Sequence, residues 1–463
     1  MSAPEDLLER IRLRLDESFV GIGEVVAELQ PADVADLVNR LTLQEAAAVM
    51  SMLSVPRAVE VFDQPTFQRR SRILEKMEPG RAAQILEELS ADQRAEVVRP
   101  MGDHERRRLL PKLSSEVRAD VERLLQYPPH TAGGIMTTEF VRLSPTWSVG
   151  ECLRHIRGVA REKESIYACY VIDPATGQLL GAVSLRDLVM AELDGPVERV
   201  MRRKPVTVAA LDDQEVVASR IAKYNLLAVP VLEKDASVVG FVTVDDVVDV
   251  MIEEGTEDAL KMGAVEAGAL DEPYVATPFW RLVRRRAGWL LVLFLGEMLT
   301  ATAMGRFEEE IARAVVLALF VPLIISSGGN SGSQAASLVI RALAVGELRL
   351  TDWWRVMRRE VSSGLVLGGV LGLVGFLRIA LWSLLAPETY GPHWLLIGFT
   401  VWLALIGVVL WGTVMGSMLP LLLKRAGMDP AVSSAPFVAT LVDVTGLVIY
   451  FEVAGRLLRG TLL

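Results

Sequence analysis

Cysteine and histidine are scarce: two and four residues in a chain of 463. Cys152 and Cys169 cannot make a disulfide scaffold. His104, His130, His155 and His393 are scattered along the chain, and no nucleophile–base pair of an enzyme can be read from them. The run G-x-x-x-x-G-K-[ST] is absent, which excludes ATP hydrolysis on a phosphate loop. The opening MSAPEDLLERIRLR has no apolar core, so no cleavable signal peptide is expected. Basic excess is missing too. Lys and Arg number 48 against 58 Asp and Glu, a net charge of −10 that argues against a nucleic-acid partner.

What is present is unevenly distributed. Residues 1–280 are dense in Glu, Asp and Arg, whereas 287–458 are dominated by Leu, Val, Ile, Gly, Ala and Trp. The apolar half resolves into five runs: Ala287–Gly305, Ala312–Leu343, Val361–Leu385, Trp394–Leu423 and Val432–Leu458. A bilayer core needs about 20 residues of helix. The second and fourth runs exceed that, so tilt, a break or an extension is expected. Five such runs with short loops do not suit a buried bundle in a soluble protein. Arg281, Arg284, Arg285 and Arg286 precede the first run. Arg349, Arg355, Arg358 and Arg359 lie between the second and third, and Lys424 and Arg425 between the fourth and fifth. This bias places the soluble half in the cytoplasm and the C-terminus outside.

The soluble half carries two repeats. The first has a period of about 12 residues: Met77-E-P-G-R-A-A, Leu89-S-A-D-Q-R-A, Met101-G-D-H-E-R-R and Leu113-S-S-E-V-R-A. Each unit opens on an apolar anchor and a capping residue, then a short helix that is stable only when stacked on its neighbours. The result is an all-α helical solenoid. Asp92, Glu96 and Asp103 on it read first as solvated surface, with a cation-sensing interface as the alternative. The second repeat spans about 60 residues. It sets Tyr170-V-I-D-P-A-T-G-Q-L-L-G-A-V-S-L-R-D-Leu188 against Val229-P-V-L-E-K-D-A-S-V-V-G-F-V-T-V-D-D-Val247. Each unit reads strand, helix, strand, turn, strand, helix. Asp187 and Asp246 are expected to cap the helix that follows the last strand.

That glycine–strand–acid pattern, appearing twice, resembles a tandem pair of CBS domains. The resemblance implies a cleft for an adenosine nucleotide, with Ser184, Arg186 and Asp187 holding ribose and phosphate. Beyond it the acids crowd: Asp245-D-V-V-Asp249, then Glu253-E-G-T-E-Asp258. Like charges at i,i+4 repel, and clustered carboxylates suit a hard divalent cation. A solvated acidic linker and a cation-responsive switch both fit this run. Its place directly before the first apolar run favours the switch.

The fifth run carries Pro436-F-V-A-T-L-V-D-V-T-Gly446, with a carboxylate in its middle. On a lipid face Asp443 would cost about 2.5–3.5 kcal/mol by insertion scales, so it faces water or a cation. The second run carries Val321-P-L-I-I-S-S-G-G-N-S-G-S-Gln334. Its proline and glycines suggest a break in the helix, and its polar residues need a wet cavity or partners. These two runs, together with the order of parts, resemble the MgtE magnesium channel family over residues 25–458.

The resemblance implies a homodimeric Mg²⁺-selective channel in the bacterial inner membrane. It would be closed by cytosolic Mg²⁺ and modulated by ATP. Asp443 would line the pore, with the Ala439 carbonyl, Thr440, Asn330 and Gln334 nearby. Asp92, Asp213, Glu215, Asp246, Asp249, Glu254, Glu257 and Asp258 match positions that gather Mg²⁺ between domains. The expected parts are the solenoid at 1–130, CBS domains at 131–195 and 196–252, a long connecting helix at 253–280 and a five-helix transmembrane domain at 281–463. Three residues depart from the pattern: Ala435 replaces an asparagine at the pore entrance, Asn225 replaces an acid, and Glu297 falls in an apolar stretch of the first run. A secondary transporter of Mg²⁺, Co²⁺ or Mn²⁺ working by alternating access is the rival reading, since a carboxylate in the membrane serves either mechanism.

Overall fold

Prolines and small polar caps start many of the helices. Pro31, Pro56, Pro79, Pro322 and Pro436 each stand in a first turn, where the missing N–H has no intrahelical acceptor to lose. Thr42 and Ser148 close capping boxes with Glu45 and Glu151. The structure, a computed structural model, describes Val26 and residues 29–266 and 277–462. The chain divides into two units, with the boundary at Glu254 and Gly255.

Among the described residues the first unit carries eight short helices before its first strand: α1 Pro31–Asn39, α2 Leu43–Met52, α3 Val55–Phe62, α4 Arg70–Lys76, α5 Pro79–Glu88, α6 Ala91–Val98, α7 Asp103–Leu109 and α8 Ser115–Leu124. The last four begin 12 residues apart, the period of the sequence repeat. Their apolar faces meet in one core that includes Ile85, Leu86, Val97, Val98, Leu109 and Val121. None of these helices exceeds 10 residues, so their stability comes from this shared burial rather than from propensity.

Two α/β repeats follow. The first holds β1 Val141–Leu143, α9 Val149–Val159, β2 Ala168–Ile172, β3 Leu179–Ser184 and α10 Leu185–Met190. The second holds β4 Val208–Ala209, α11 Gln214–Tyr224, β5 Ala228–Leu232 and β6 Val238–Thr243, then α12 Val244–Met262. In each sheet the outer short strand pairs parallel and the next pair is antiparallel. A register shift falls at the same place in both, after Val171 and after Val231. Each repeat also lends a segment to the other's sheet: Thr137 exchanges hydrogen bonds with Phe241, and Arg202 with Ala182. The strand glycines make room for this. A Cβ at Gly181 would sit 2.9 Å from the Arg202 carbonyl, and one at Gly240 would sit 2.6 Å from that of Thr137.

Among the described residues of the second unit five helices are long and apolar enough to cross a membrane. They are α13 Phe279–Arg306, α15 Val321–Ala344, α16 Trp353–Leu385, α17 Trp394–Arg425 and α18 Ala435–Leu457, with the short α14 Glu308–Arg313 after the first. Helices α15, α17 and α18 form the core through Ile324, Ala336, Val401, Val408, Val438 and Val442. Helix α16 lies along α17, where the Trp402 indole donates to the Gly369 carbonyl at 3.1 Å.

The break expected in the second run is not at the glycines. Helix α15 is continuous from Val321 to Ala344, and a 3-10 turn over Val315–Phe320 precedes it. Pro322 starts the helix instead of interrupting it, as proline does in a first turn. Gly328 and Gly332 serve close packing against α17 and α18: a Cβ on Gly328 would meet Val408 at 2.5 Å and Val442 at 2.8 Å.

Candidate functional site

Ser434 caps α18, accepting from the Phe437 N–H, and the helix then runs unbroken through Asp443. Asp443 is half-buried and has neither a hydrogen bond nor an ion pair among the described residues. Its neighbour on α15 is Gly329, where a Cβ would lie 3.5 Å from Asp443 Oδ1 and 3.4 Å from the Ala439 side chain. Ala439 sits inside the helix, so its carbonyl serves the helical ladder with one lone pair to spare. The Thr440 hydroxyl donates to the Pro436 carbonyl at 3.0 Å and keeps acceptor capacity.

Thr445 does not belong to this group. It donates to the Leu441 carbonyl and accepts from the Trp411 indole at 2.7 Å, which ties α18 to α17. Asn330 and Gln334 are exposed, one turn apart on α15, and the Asn330 amide donates to Ser326. They continue a polar stripe on the outside of the chain. Ala435 supplies its carbonyl to the Ser333 hydroxyl at 3.1 Å. The helix start therefore remains tied to α15 without an amide side chain.

The acids of the first unit fall into two environments. Asp92 on α6, Glu164 in the loop before β2, and Asp246 on α12 lie within electrostatic reach of one another. Burial pushes the Asp92 carboxyl up to about 6, with Glu96 adding to it. Burial, then Asp92 and Asp246, push Glu164 up to about 10. Asp246 is raised by burial and by Asp92, against a hydrogen bond from the Thr243 hydroxyl. Asp249 is pushed up to about 6 by burial, opposed by Arg70. Asp92 Oδ1, Glu164 Oε2 and Asp249 Oδ1 are buried without hydrogen-bond partners.

Elsewhere the acids are engaged locally. Asp213 caps α11 through the Glu215 N–H at 2.9 Å, with Glu215 exposed beside it. Glu254 accepts from the Gln214 amide at 2.5 Å. In the second unit Glu257 and Asp429 both hold Lys261, each at 2.5 Å. Burial would lower the Lys261 pKa, but these two partners raise it. Asp429 also caps the Ala431 N–H, so one carboxylate joins the end of α12 to the loop before α18. Asp258 is half-buried on the same stretch of α12.

The carboxylates around Asp92 have the donor chemistry of a Mg²⁺ site: oxygen-only, negatively charged and short of partners. Among the described residues no three His, Cys, Asp or Glu side chains converge closely enough to hold an ion directly. Mg²⁺ bound through its retained waters does not require such convergence. Sequence reasoning missed Glu164 because a charged loop residue carries no periodic signal, and only folding brings it to Asp92. It missed the Lys261–Asp429 pair for the same reason, the two being 168 residues apart.

Ser184, not Asp187, caps α10: its hydroxyl accepts from the Asp187 N–H at 3.0 Å. Asp246 does reach back to the Thr243 N–H at 3.2 Å. Among the described residues the Asp187 carboxylate has no hydrogen bond, and Arg186 is exposed. The Tyr170 hydroxyl is buried without a partner. Asn225 ends α11 in the left-handed conformation, φ 50°, which asparagine tolerates better than most residues.

Residues 321–453 match the MgtE family, described as divalent cation transporters. Residues 29–130 match the MgtE intracellular N domain, and 132–194 and 197–253 match CBS domains. The chain is 41% identical over 340 residues to the magnesium transporter MgtE of Thermus thermophilus, covering 73% of each. It is 34% identical over 339 residues to that of Enterococcus faecalis, covering 73% of this chain and 72% of the relative. A crystal structure of the cytosolic domain of the Mg²⁺ channel MgtE in complex with ATP is 36% identical with a TM-score of 0.48, covering 52% of this chain and 99% of that one.

Proposed function

Since the chain belongs to the MgtE family of magnesium transporters, we propose that it is a Mg²⁺-selective channel importing the ion across the bacterial cytoplasmic membrane. The observation that carries this reading is Asp443, an unpaired carboxylate in the middle of an apolar helix, beside Gly329 and Ala439. Mg²⁺ gives up water reluctantly. A path that offers Asp443 and the Ala439 carbonyl to its hydration shell can admit the ion without stripping it.

The assembly is a homodimer. Asn330 and Gln334 face outward from a single chain, and polar side chains in a membrane need partners or a wet cavity. A second copy placed across a twofold axis supplies both and doubles the Asp443 charge. The N-terminal unit is cytosolic and the C-terminus lies outside, a reading supported by the basic residues of the loops.

Cytosolic Mg²⁺ closes the channel. Asp92, Asp246 and Asp249 repel one another and their neighbours without the ion, and bound Mg²⁺ neutralises them. Asp213, Glu215 and Glu254 extend the regulatory surface of the first unit, and Glu257 and Asp258 are the acids that the second unit contributes to regulation. ATP sits at the CBS pair on Ser184, Arg186 and Asp187 and tunes the closure; it supplies binding energy and charge there, not hydrolysis.

The test is Mg²⁺ flux into proteoliposomes, titrated from the cytosolic side, with single-channel recording. Flux inhibited by millimolar cytosolic Mg²⁺, with resolvable unitary currents, is the expected result. Transport without channel-scale conductance supports alternating access instead.

A further inference from the structure

Glu297 sits in the middle of α13, nine residues short of its end at Arg306. Nine residues of helix span about 13 Å, which is too far for a glutamate to reach the interface by snorkelling. Helix α13 packs on α18. Where they meet, a Cβ on Gly296 would lie 2.8 Å from the Thr440 methyl. That contact is one residue before Glu297 and three before Asp443. Glu297 is the charged side chain whose field acts on Asp443. Among the described residues neither acid has an ion pair or a hydrogen bond.

A second feature points to a ligand at this place. Thr300 is the one buried residue of α13, 9% exposed, and its hydroxyl has no hydrogen-bond partner. It follows Gly296 by one turn and Glu297 by three residues. It therefore lies on the side of α13 that meets α18 at the level of Asp443. Thr300 thus brings a buried, unsatisfied hydroxyl three residues after the exposed Glu297, and with the two carboxylates it offers oxygen donors alone, the chemistry a hard divalent cation takes.

We propose that Glu297 is a second carboxylate of the cation path, which together with Asp443 and the Thr300 hydroxyl sets how strongly the path holds a divalent ion. The proposal rests on the reading of Asp443 as an ion ligand. It makes the first membrane helix part of the path and explains the acid that stands in its apolar stretch. Two negative charges discriminate against monovalent ions more than one does. Hydrated Mg²⁺ spans both helices through its own waters.

The experiment uses the full chain in proteoliposomes, with Glu297→Gln, Glu297→Asp and Thr300→Val beside the unmodified protein and Asp443→Asn. Mg²⁺ flux is titrated, and the ratio of Mg²⁺ to K⁺ permeation is measured by ion replacement. Glu297→Gln is expected to raise the half-saturating Mg²⁺ about tenfold, since charge count tunes divalent affinity over such ranges, and to lower the Mg²⁺ to K⁺ ratio. Glu297→Asp restores most of both, and Thr300→Val shifts the titration about two- to threefold by the same reasoning. A Glu297→Gln titration and permeation ratio equal to the unmodified protein's overturn the proposal. So does a lowered melting temperature in detergent that Glu297→Asp fails to restore, because the role is then structural. An unmodified protein that passes no Mg²⁺ sinks the channel reading itself, a result distinct from either.

Discussion

Gly328→Ala isolates the link between helix packing and the ion path. An added Cβ would lie 2.5 Å from a Val408 methyl and 2.8 Å from a Val442 methyl. Ordinary contact begins at 3.4 Å, so the shortfall against Val408 is 3.4 − 2.5, or 0.9 Å. Val408 and Val442 are fully buried, and β-branched side chains have few rotamers to escape into. Helix α15 must therefore back away from α17 and α18. Overpacking of this kind costs about 1–3 kcal/mol, offset by roughly 0.8–1 kcal/mol of helix propensity gained over glycine. The same movement carries Gly329 away from Asp443. Gly369→Ala is the control: it lies on α16 with nothing within 4 Å of its added carbon, so it keeps the propensity gain and avoids the clash. Thermal unfolding in detergent and Mg²⁺ flux should both fall for Gly328→Ala and hold or improve for Gly369→Ala. If Gly328→Ala melts as high as Gly369→Ala and passes Mg²⁺ as fast, the close-packing argument is wrong.

Asp443→Asn should abolish selective Mg²⁺ flux while leaving the melting temperature within a few degrees; normal selective flux refutes the pore role. Asp92 and Asp249 hold carboxyl pKa values of about 6 against 3.8 for the free side chain. Between those values the folded state binds protons that the unfolded chain does not, so the Mg²⁺-free soluble unit loses stability as pH rises through that window. Limited proteolysis of the full chain should therefore be slower at pH 5.5 than at pH 7.5 without Mg²⁺, and millimolar Mg²⁺ should restore protection at pH 7.5. Faster cleavage at pH 5.5, or no effect of Mg²⁺, contradicts the acid-cluster reading. Lys261→Gln removes charged hydrogen bonds to Asp429 and Glu257 worth about 1.5–3 kcal/mol each when made to ionised groups. It should lower the melting temperature and shift the Mg²⁺ concentration that closes the channel, and an unchanged closure curve would remove the pair from the gate.

The order of parts could be read directly from the chain, because it is written in local periodicities. The 12-residue spacing of apolar anchors became helices starting at Pro79, Ala91, Asp103 and Ser115. The doubled glycine–strand–acid pattern became two sheets with matching register shifts. Five apolar runs became five helices. Asp443 stood out in the sequence because a charge in hydrocarbon is costly. The sequence could not say which groups meet when distant segments close. Pro322 and the glycines after it suggested a break, and only the packing of α15 against Val408 and Val442 showed that the glycines serve contact. Asp187 looked like the cap of its helix until the Ser184 hydroxyl was found in that place. Glu164 beside Asp92, Lys261 on Asp429 and Glu297 beside Asp443 join residues between 72 and 168 positions apart. Their electrostatics exist only once folding has brought these distant residues together.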